Sequence, residues 1–295
     1  MINRQRLILE LLAISGGPVD LLRLVKSVFL LRHDLGFEDR FYDFVPYRFG
    51  PFSFVLYHEL SKLESKGIVK TQGDRLRLTP HGQRVRPRPM PGHAKAIRAL
   101  VKELGTRSTD ELIASIYKRY PWYTVNARDR RRRRMLRPTA APAVYTVGYE
   151  GLPVDGLLNL LLRNGIQTLI DTRHNPISRR YGFHRSTLSR LCENLGLRYE
   201  HFPKLGIPGE WRRDLRIEEL PRLFERYENE VLAKASRQLG SLEELMASSA
   251  SVLLCSERLP EHCHRHRLAA KMASRLQMPM LDLRLQGQPE LTIDA

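Results

Sequence analysis

Asp171 and Arg173 stand two positions apart in Asp171-Thr-Arg173-His-Asn-Pro176, and Arg179 follows closely. A carboxylate in such a place can act as a general base on water. Guanidinium forks match phosphate oxygens two at a time. A second polar group, Cys255-Ser-Glu257 with Cys263-His264-Arg265, follows the apolar run 251–255, and a third, Gly148-Tyr149-Glu150, follows 143–147. Asp171, Arg173, Arg179, Tyr149, Cys255, His264 and Arg265 are therefore the candidate catalytic residues. The chemistry they suggest is hydrolysis at a phosphate or nucleotide. Asp171 would activate water while Arg173, Arg179 and Arg265 stabilise phosphate charge. Tyr149 or Trp211 could stack on an extruded base, so strand scission and base excision both stay open. Each residue also has a plainer reading. Asp171 can pair with Arg173 or Arg179 to order its loop, Tyr149 can be core, and the arginines can be solvated.

The sequence holds three cysteines, Cys192, Cys255 and Cys263. So few in a chain of 295 residues argue for a reducing compartment and against a disulfide framework. A cysteine phosphatase needs arginine at C-x5-R, and neither Cys255 nor Cys263 has one there. Zinc could draw on Cys255, Cys263, His262, His264 or His266, but no C-x2-C pair is present and the spacing matches no common site. The expectation is thus no metal and no cofactor, with Cys255 ending a buried strand. Cys263 and His264 would open a helix whose backbone N–H groups favour an anion.

These clusters need elements to hold them. Between residues 143 and 170 the pattern reads strand, helix, strand, with Asp155 expected to cap the helix; this is a βαβ unit with a parallel pair. Further helices are expected at 188–195 and 265–275, and further strands at 198–201 and 251–255. Ligands of parallel sheets bind at the carboxyl ends of the strands, where the three polar groups fall. The N-terminal part is mainly helical. Residues 4–14 and 19–33 carry apolar side chains at three- and four-residue spacing. Ser53 stands where an N-cap belongs, Gly67 where a helix stops, and a short hairpin turns through Gly73-Asp74. Helices followed by a basic hairpin make a winged-helix pattern. Arg48, Lys62, Lys66, Lys70, Arg75 and Arg77 are its candidate contacts to nucleic acid.

Between the two parts lies the most biased segment. Seven of the ten residues 128–137 are arginine, and Pro138 to Pro142 follow. Self-repulsion makes the run a poor core element and a plausible phosphate-contacting arm, through Arg130, Arg131, Arg132, Arg133 and Arg134. The domain reading is 1–127, a linker over 128–142, and 143–295. No internal repeat is present.

Family resemblances accompany these motifs. FVPYRFGPFSFVLYHELSKLESKGIVKTQGDRLRLTPHG and YKRYPWYTVNAR resemble bacterial winged-helix proteins of the YwgA type, over roughly residues 1–130. Tyr47-Arg48-Phe49-Gly50-Pro51 is the most specific piece. That resemblance implies a nucleic-acid-binding module and no reaction. YTVGYEG, LIDTRHNPISRRYGF, LRYEHFPKLG and LLCSERLPEHCHRHRLA are similar to the domain-of-unknown-function 488 family, over about residues 144–275. It implies a Rossmann-like α/β domain with a polar pocket. The motif residues carried over are Gly148, Tyr149, Asp171, Arg173, Pro176, Ser178, Arg179, Cys255, Cys263, His264 and Arg265. Ile207-Pro208 follow Gly206 where the family pattern often has a second glycine.

Composition bounds the partners. The formal charge of +17, from 49 Lys and Arg against 32 Asp and Glu, makes polyanions attractive because each phosphate contact releases counterions. No apolar run approaches about eighteen residues, and the N-terminus lacks a cleavage pattern, so a membrane span and a signal peptide are not expected. The expected protein is cytoplasmic and α/β in class, with a winged-helix-like domain followed by a three-layer, mostly parallel Rossmann-like one. Its expected partner is nucleic acid, double-stranded DNA first, with a homodimer left open. The rival readings are a non-enzymatic DNA-binding regulator whose α/β domain senses a nucleotide or other anion, and a module that binds protein.

Overall fold

The computed structural model describes residues 3–34, 42–86, 92–213 and 215–284. The chain forms two compact units, meeting in sequence between Leu136 and Arg137.

In the first unit, α1 (Asn3–Ser15), β1 (Val19–Asp20) and α2 (Leu21–Asp34) are followed by a hairpin of β2 (Val45–Tyr47) and β3 (Gly50–Phe52). Then come α3 (Phe54–Ser65), β4 (Val69–Gln72), β5 (Arg75–Leu78), α4 (Pro80–Val85), α5 (His93–Gly105) and α6 (Thr109–Arg119). The helix expected from residue 19 starts at 21, because Val19 and Asp20 pair antiparallel with Leu76 and Arg75. Asp20 then caps α2, its Oδ1 accepting from the Arg23 N–H at 2.8 Å. The three strands lie in the order β1-β5-β4. Ser53 caps α3 as expected, accepting from the Leu56 N–H at 3.2 Å. The apolar side of α3 buries Leu56, Leu60 and Leu63, each worth about 2 kcal/mol. Its one buried acid, Glu59, accepts from Gln5 Nε2 at 2.5 Å and lies 3.1 Å from the Arg4 guanidinium.

The second unit is built on β6 (Val144–Gly148), β7 (Thr168–Asp171), β8 (Arg198–His201), β9 (Ser251–Cys255) and β10 (Met280–Asp282). They make one five-stranded sheet in the order β10-β6-β9-β7-β8, and every neighbouring pair is parallel. The helices are α7 (Val154–Arg163), α8 (Arg185–Asn194), α9 (Leu220–Tyr227), α10 (Ser236–Ser248) and α11 (His264–Leu276). Every residue of β6, β7 and β9 is buried, so both faces of the sheet centre are covered. On one face Val144, Ile170 and Leu253 pack with Phe224 of α9, Leu242 of α10 and Leu268 of α11. Asp155 does not cap α7. The helix begins at Val154 after Pro153, which makes no side-chain cap bond, and Asp155 is buried inside the first turn.

The segment expected to be a free basic arm is fastened to the first unit. The Arg128 N–H donates to the Arg48 carbonyl at 2.9 Å, the Arg134 N–H to Thr124 Oγ1 at 2.9 Å, and Arg133 Nε to the Ala127 carbonyl at 3.2 Å. Arg130 to Arg134 nevertheless all remain exposed.

Candidate functional site

All five strands of the sheet run the same way, so Gly148, Asp171, His201, Cys255 and Asp282 end together on one edge. Two polar clusters occupy that edge.

The first centres on Asp171, which is fully buried. Its carboxylate accepts from Arg173 Nε at 2.8 Å and Nη2 at 2.5 Å, from the Arg173 backbone N–H at 3.1 Å, and from the Tyr199 hydroxyl at 2.6 Å. Burial and then the Asp171 charge push the Tyr199 phenol well above its ordinary value, so Tyr199 stays a donor. Arg173 uses Nη1 on the Phe183 carbonyl at 2.8 Å and the Tyr149 hydroxyl at 3.3 Å. Burial opposes the Arg173 charge, but Asp171 outweighs it and holds the guanidinium ionised. Tyr149 is itself buried, with its ring stacked on Phe183 at 4.2 Å. Expected as base, clamp and base-stacking platform, these three residues instead hold one another. Gly206 lies beside them, and a Cβ there would sit 2.3 Å from the His174 nitrogen and 2.6 Å from the Thr172 carbonyl. Only a residue without a side chain lets the 203–208 loop press on this turn.

The second cluster surrounds His264, the first residue of α11, with Cys263 at the N-cap position as expected. His264 Nε2 lies 3.2 Å from the Thr172 carbonyl, which places its proton there and turns the lone pair of Nδ1 the other way. Nδ1 faces Cys255 Sγ at 3.7 Å, Cys263 Sγ at 3.8 Å and Arg212 Nη2 at 3.5 Å. Cys255, Cys263 and His264 are all buried. Glu257 Oε2 accepts from Cys255 Sγ at 3.2 Å, and its other oxygen pairs with Arg212 Nη1. The Arg212 and Glu257 side chains are 28% and 25% exposed, which makes them the solvent-facing part of the cluster. Burial pushes the Glu257 carboxyl up, but Arg212 and the two thiols outweigh it and bring it down to about 2. Burial opposes the Arg212 charge too, and Glu257 and the two cysteines raise it above its usual value. Burial pushes the Cys263 thiol up, and Cys255 adds to the effect.

Residues 153–272 match the family model described as Domain of unknown function DUF488. The DUF488 match runs from the N-cap of α7 into α11 and includes both clusters except Tyr149. It leaves residues 1–152 and 273–295 outside. No curated protein and no solved structure matches the chain.

The structure also places the remaining candidates. Arg265 lies within the DUF488 match and is fully buried. It donates to the carbonyls of Glu257 and Arg258 and reaches Asp282 Oδ1 at 3.4 Å, tying β10 to the loop after β9. A phosphate cannot reach it in that position. Arg179 is exposed, and no ion pair or hydrogen bond engages its side chain among the described residues. Trp211 is half-buried under the Arg226 guanidinium at 3.8 Å. Tyr199 and Thr172 lie in the motif strings but were not singled out as site residues, and Arg212 lies outside them. Tyr199 sits mid-strand in a short polar strand, and Arg212 sits in a segment without periodicity.

In the first unit Arg48, Lys62, Lys66, Lys70, Arg75 and Arg77 are all exposed. Lys62 approaches Glu59 at 3.7 Å, whereas Lys66, Lys70, Arg75 and Arg77 have no ion pair among the described residues. Arg48, Phe49, Arg128, Arg131 and Arg132 line a cavity of about 610 Å³. No described helix is long and apolar enough to cross a membrane.

Proposed function

We propose that this chain binds nucleic acid, duplex DNA in the first instance, and hydrolyses it at the carboxyl edge of its parallel sheet. The observation that carries the reading is the set of cations without an ion pair, among the described residues, at the C-cap of α3 and on the β4–β5 hairpin. Lys66, Lys70, Arg75 and Arg77 are exposed and free to exchange counterions for phosphates. The elements α1, β1, α2, α3 and the β4–β5 hairpin, with strands in the order β1-β5-β4 and the separate β2–β3 hairpin inserted between α2 and α3, support a winged-helix reading of the first unit. In that design a helix enters the major groove while the hairpin touches backbone. The central strands of the second unit, covered on both faces, support a Rossmann-like three-layer reading.

For the reaction, the geometry favours Glu257 and Arg212 over Asp171 and Arg173. Among the described residues the Asp171 carboxylate accepts from Arg173 and Tyr199 alone, which leaves water no approach along those bonds. Glu257 is partly open to solvent and ionised throughout the neutral range, so it can orient water, with Arg212 beside it for phosphate charge. Arg179 keeps its assignment as a phosphate contact.

The test incubates the full chain with end-labelled single-stranded, duplex and base-modified DNA, with and without divalent metal, beside Glu257→Gln and Asp171→Asn. Products abolished in Glu257→Gln support hydrolysis at this edge, and a requirement for alkali before cleavage selects base excision over strand scission. Salt-sensitive binding with no product on any substrate overturns the catalytic half and leaves a DNA-binding regulator. Affinity indifferent to salt overturns the nucleic-acid half.

A further inference from the structure

We infer that Cys255, Cys263 and His264 form a binding site for a thiophilic divalent metal ion, zinc above all. The three candidate ligand atoms lie within 4.8 Å of one another and all three residues are buried. Tetrahedral zinc takes thiolate sulfur at about 2.3 Å and imidazole nitrogen at about 2.0–2.1 Å, which sets ligand nitrogen and sulfur about 3.6 Å apart. Nδ1 of His264 stands 3.7 Å from one sulfur and 3.8 Å from the other. Little movement is needed to close three corners of a tetrahedron.

The surroundings fit the same assignment. A metal-bound histidine almost always donates its other ring N–H to a carbonyl or carboxylate, which fixes the tautomer and aims the ring. His264 does this through Nε2 to the Thr172 carbonyl at 3.2 Å, so its free lone pair is the one between the sulfurs. Two thiolates balance one divalent cation. Outside them the charges already balance, as Arg212 pairs with Glu257 and Arg265 with Asp282. Arg212 Nη2, 3.5 Å from Nδ1, is the cationic group that faces that lone pair among the described residues. The metal displaces this long contact and leaves Arg212 its ion pair with Glu257.

Spacing hid the site. Cys255 ends β9, while Cys263 and His264 open α11, so the ligands come from two elements and adjacent positions rather than from a C-x2-C knuckle. Three protein ligands leave a fourth corner to an oxygen ligand or water, and the Glu257 carboxylate is the nearby acid, 3.2 Å from Cys255 Sγ. The assignment is independent of the proposed action on nucleic acid.

Cobalt(II) titration of the reduced, metal-stripped full chain tests it. The expected result is one equivalent per chain, with the intense visible bands of tetrahedral cobalt and a thiolate-to-cobalt charge-transfer band, both bleached by zinc(II). Cys263→Ser and His264→Gln should each lose or blue-shift these bands, and Cys192→Ser, altering a buried cysteine on α8, should keep them. Because a variant can fail to fold, folded wild-type chain loaded with one equivalent of zinc is also measured by X-ray absorption at the zinc edge, and the nearest shell should hold two sulfur atoms with nitrogen or oxygen completing it. Absence of thiolate-to-cobalt absorption in the wild type overturns the site. So does an unchanged spectrum in Cys263→Ser, or a zinc shell without sulfur in the wild type.

Discussion

Arg173 and Asp171 are joined by two parallel side-chain hydrogen bonds, Nε to Oδ1 at 2.8 Å and Nη2 to Oδ2 at 2.5 Å, with almost no solvent contact. The pair also fixes the backbone between them, since the Arg173 N–H ends on the same carboxylate oxygen. Removing one partner leaves a buried charge uncompensated, which costs about 3–5 kcal/mol. Asp171→Asn should therefore lower the calorimetric midpoint of the second unit by roughly 10 °C. Arg173→Lys should be nearly as harmful because an ammonium cannot make the two-pronged contact. An Asp171→Asn chain of wild-type stability would show that the pair is not structural.

Gly148 ends β6 where the loop after β9 crosses it. A Cβ on Gly148 would stand 1.8 Å from the Glu257 carbonyl oxygen and 2.7 Å from its carbonyl carbon. Backbone cannot rotate aside, so Gly148→Ala should displace the loop that carries Glu257 and destabilise the unit by about 1–3 kcal/mol. Urea unfolding followed by Trp211 fluorescence would measure the loss, and an unchanged midpoint would refute the contact.

Arg75→Ala with Arg77→Ala removes two hairpin cations while Leu76, buried between them, keeps its packing. Duplex affinity should fall uniformly across sequences. The slope of log affinity against log salt should shrink by about one to two. Fluorescence anisotropy at several salt concentrations would show it, and an unaltered slope would place DNA elsewhere on the surface.

Lys26 carries a pH prediction. It is buried on α2, donates to the Pro51 carbonyl at 2.7 Å, and burial lowers its ammonium to about 7. Between pH 7 and the ordinary lysine value the unfolded chain binds the extra proton, so stability rises with pH across that window. Denaturant unfolding of the first unit, reported by the buried Trp122, should show this rise. Lys26→Met should flatten it.

Much of the fold was legible from local signals. The Ser53 cap, the α3 stop near Gly67 and the hairpin through Gly73-Asp74 obey short-range rules, and residues 251–255 read as a buried strand from their apolar run. The edge where the polar residues gather was legible too, because parallel strands deliver their ends to one side. Partnership within that edge was not. Whether Asp171 faces water or Arg173 depends on a rotamer, and Tyr199 joins them from a strand 28 residues away. Cys255 and His264 meet through the turn between β9 and α11, which periodicity does not report. The α2 start was misplaced for a similar reason, since Val19 owes its extended form to a strand 57 residues further on.

The strand order β10-β6-β9-β7-β8 has a consequence for synthesis. β6 and β7 leave the ribosome early yet never touch as neighbours, because the slot between them belongs to β9, made about 80 residues after β7. Until residues 251–255 emerge, neither strand has the partner that takes its hydrogen bonds on that side. The nascent half-sheet is therefore a natural client for a holding chaperone. The same late segment that zips it shut brings Cys255 to the edge, with Cys263 and His264 directly behind.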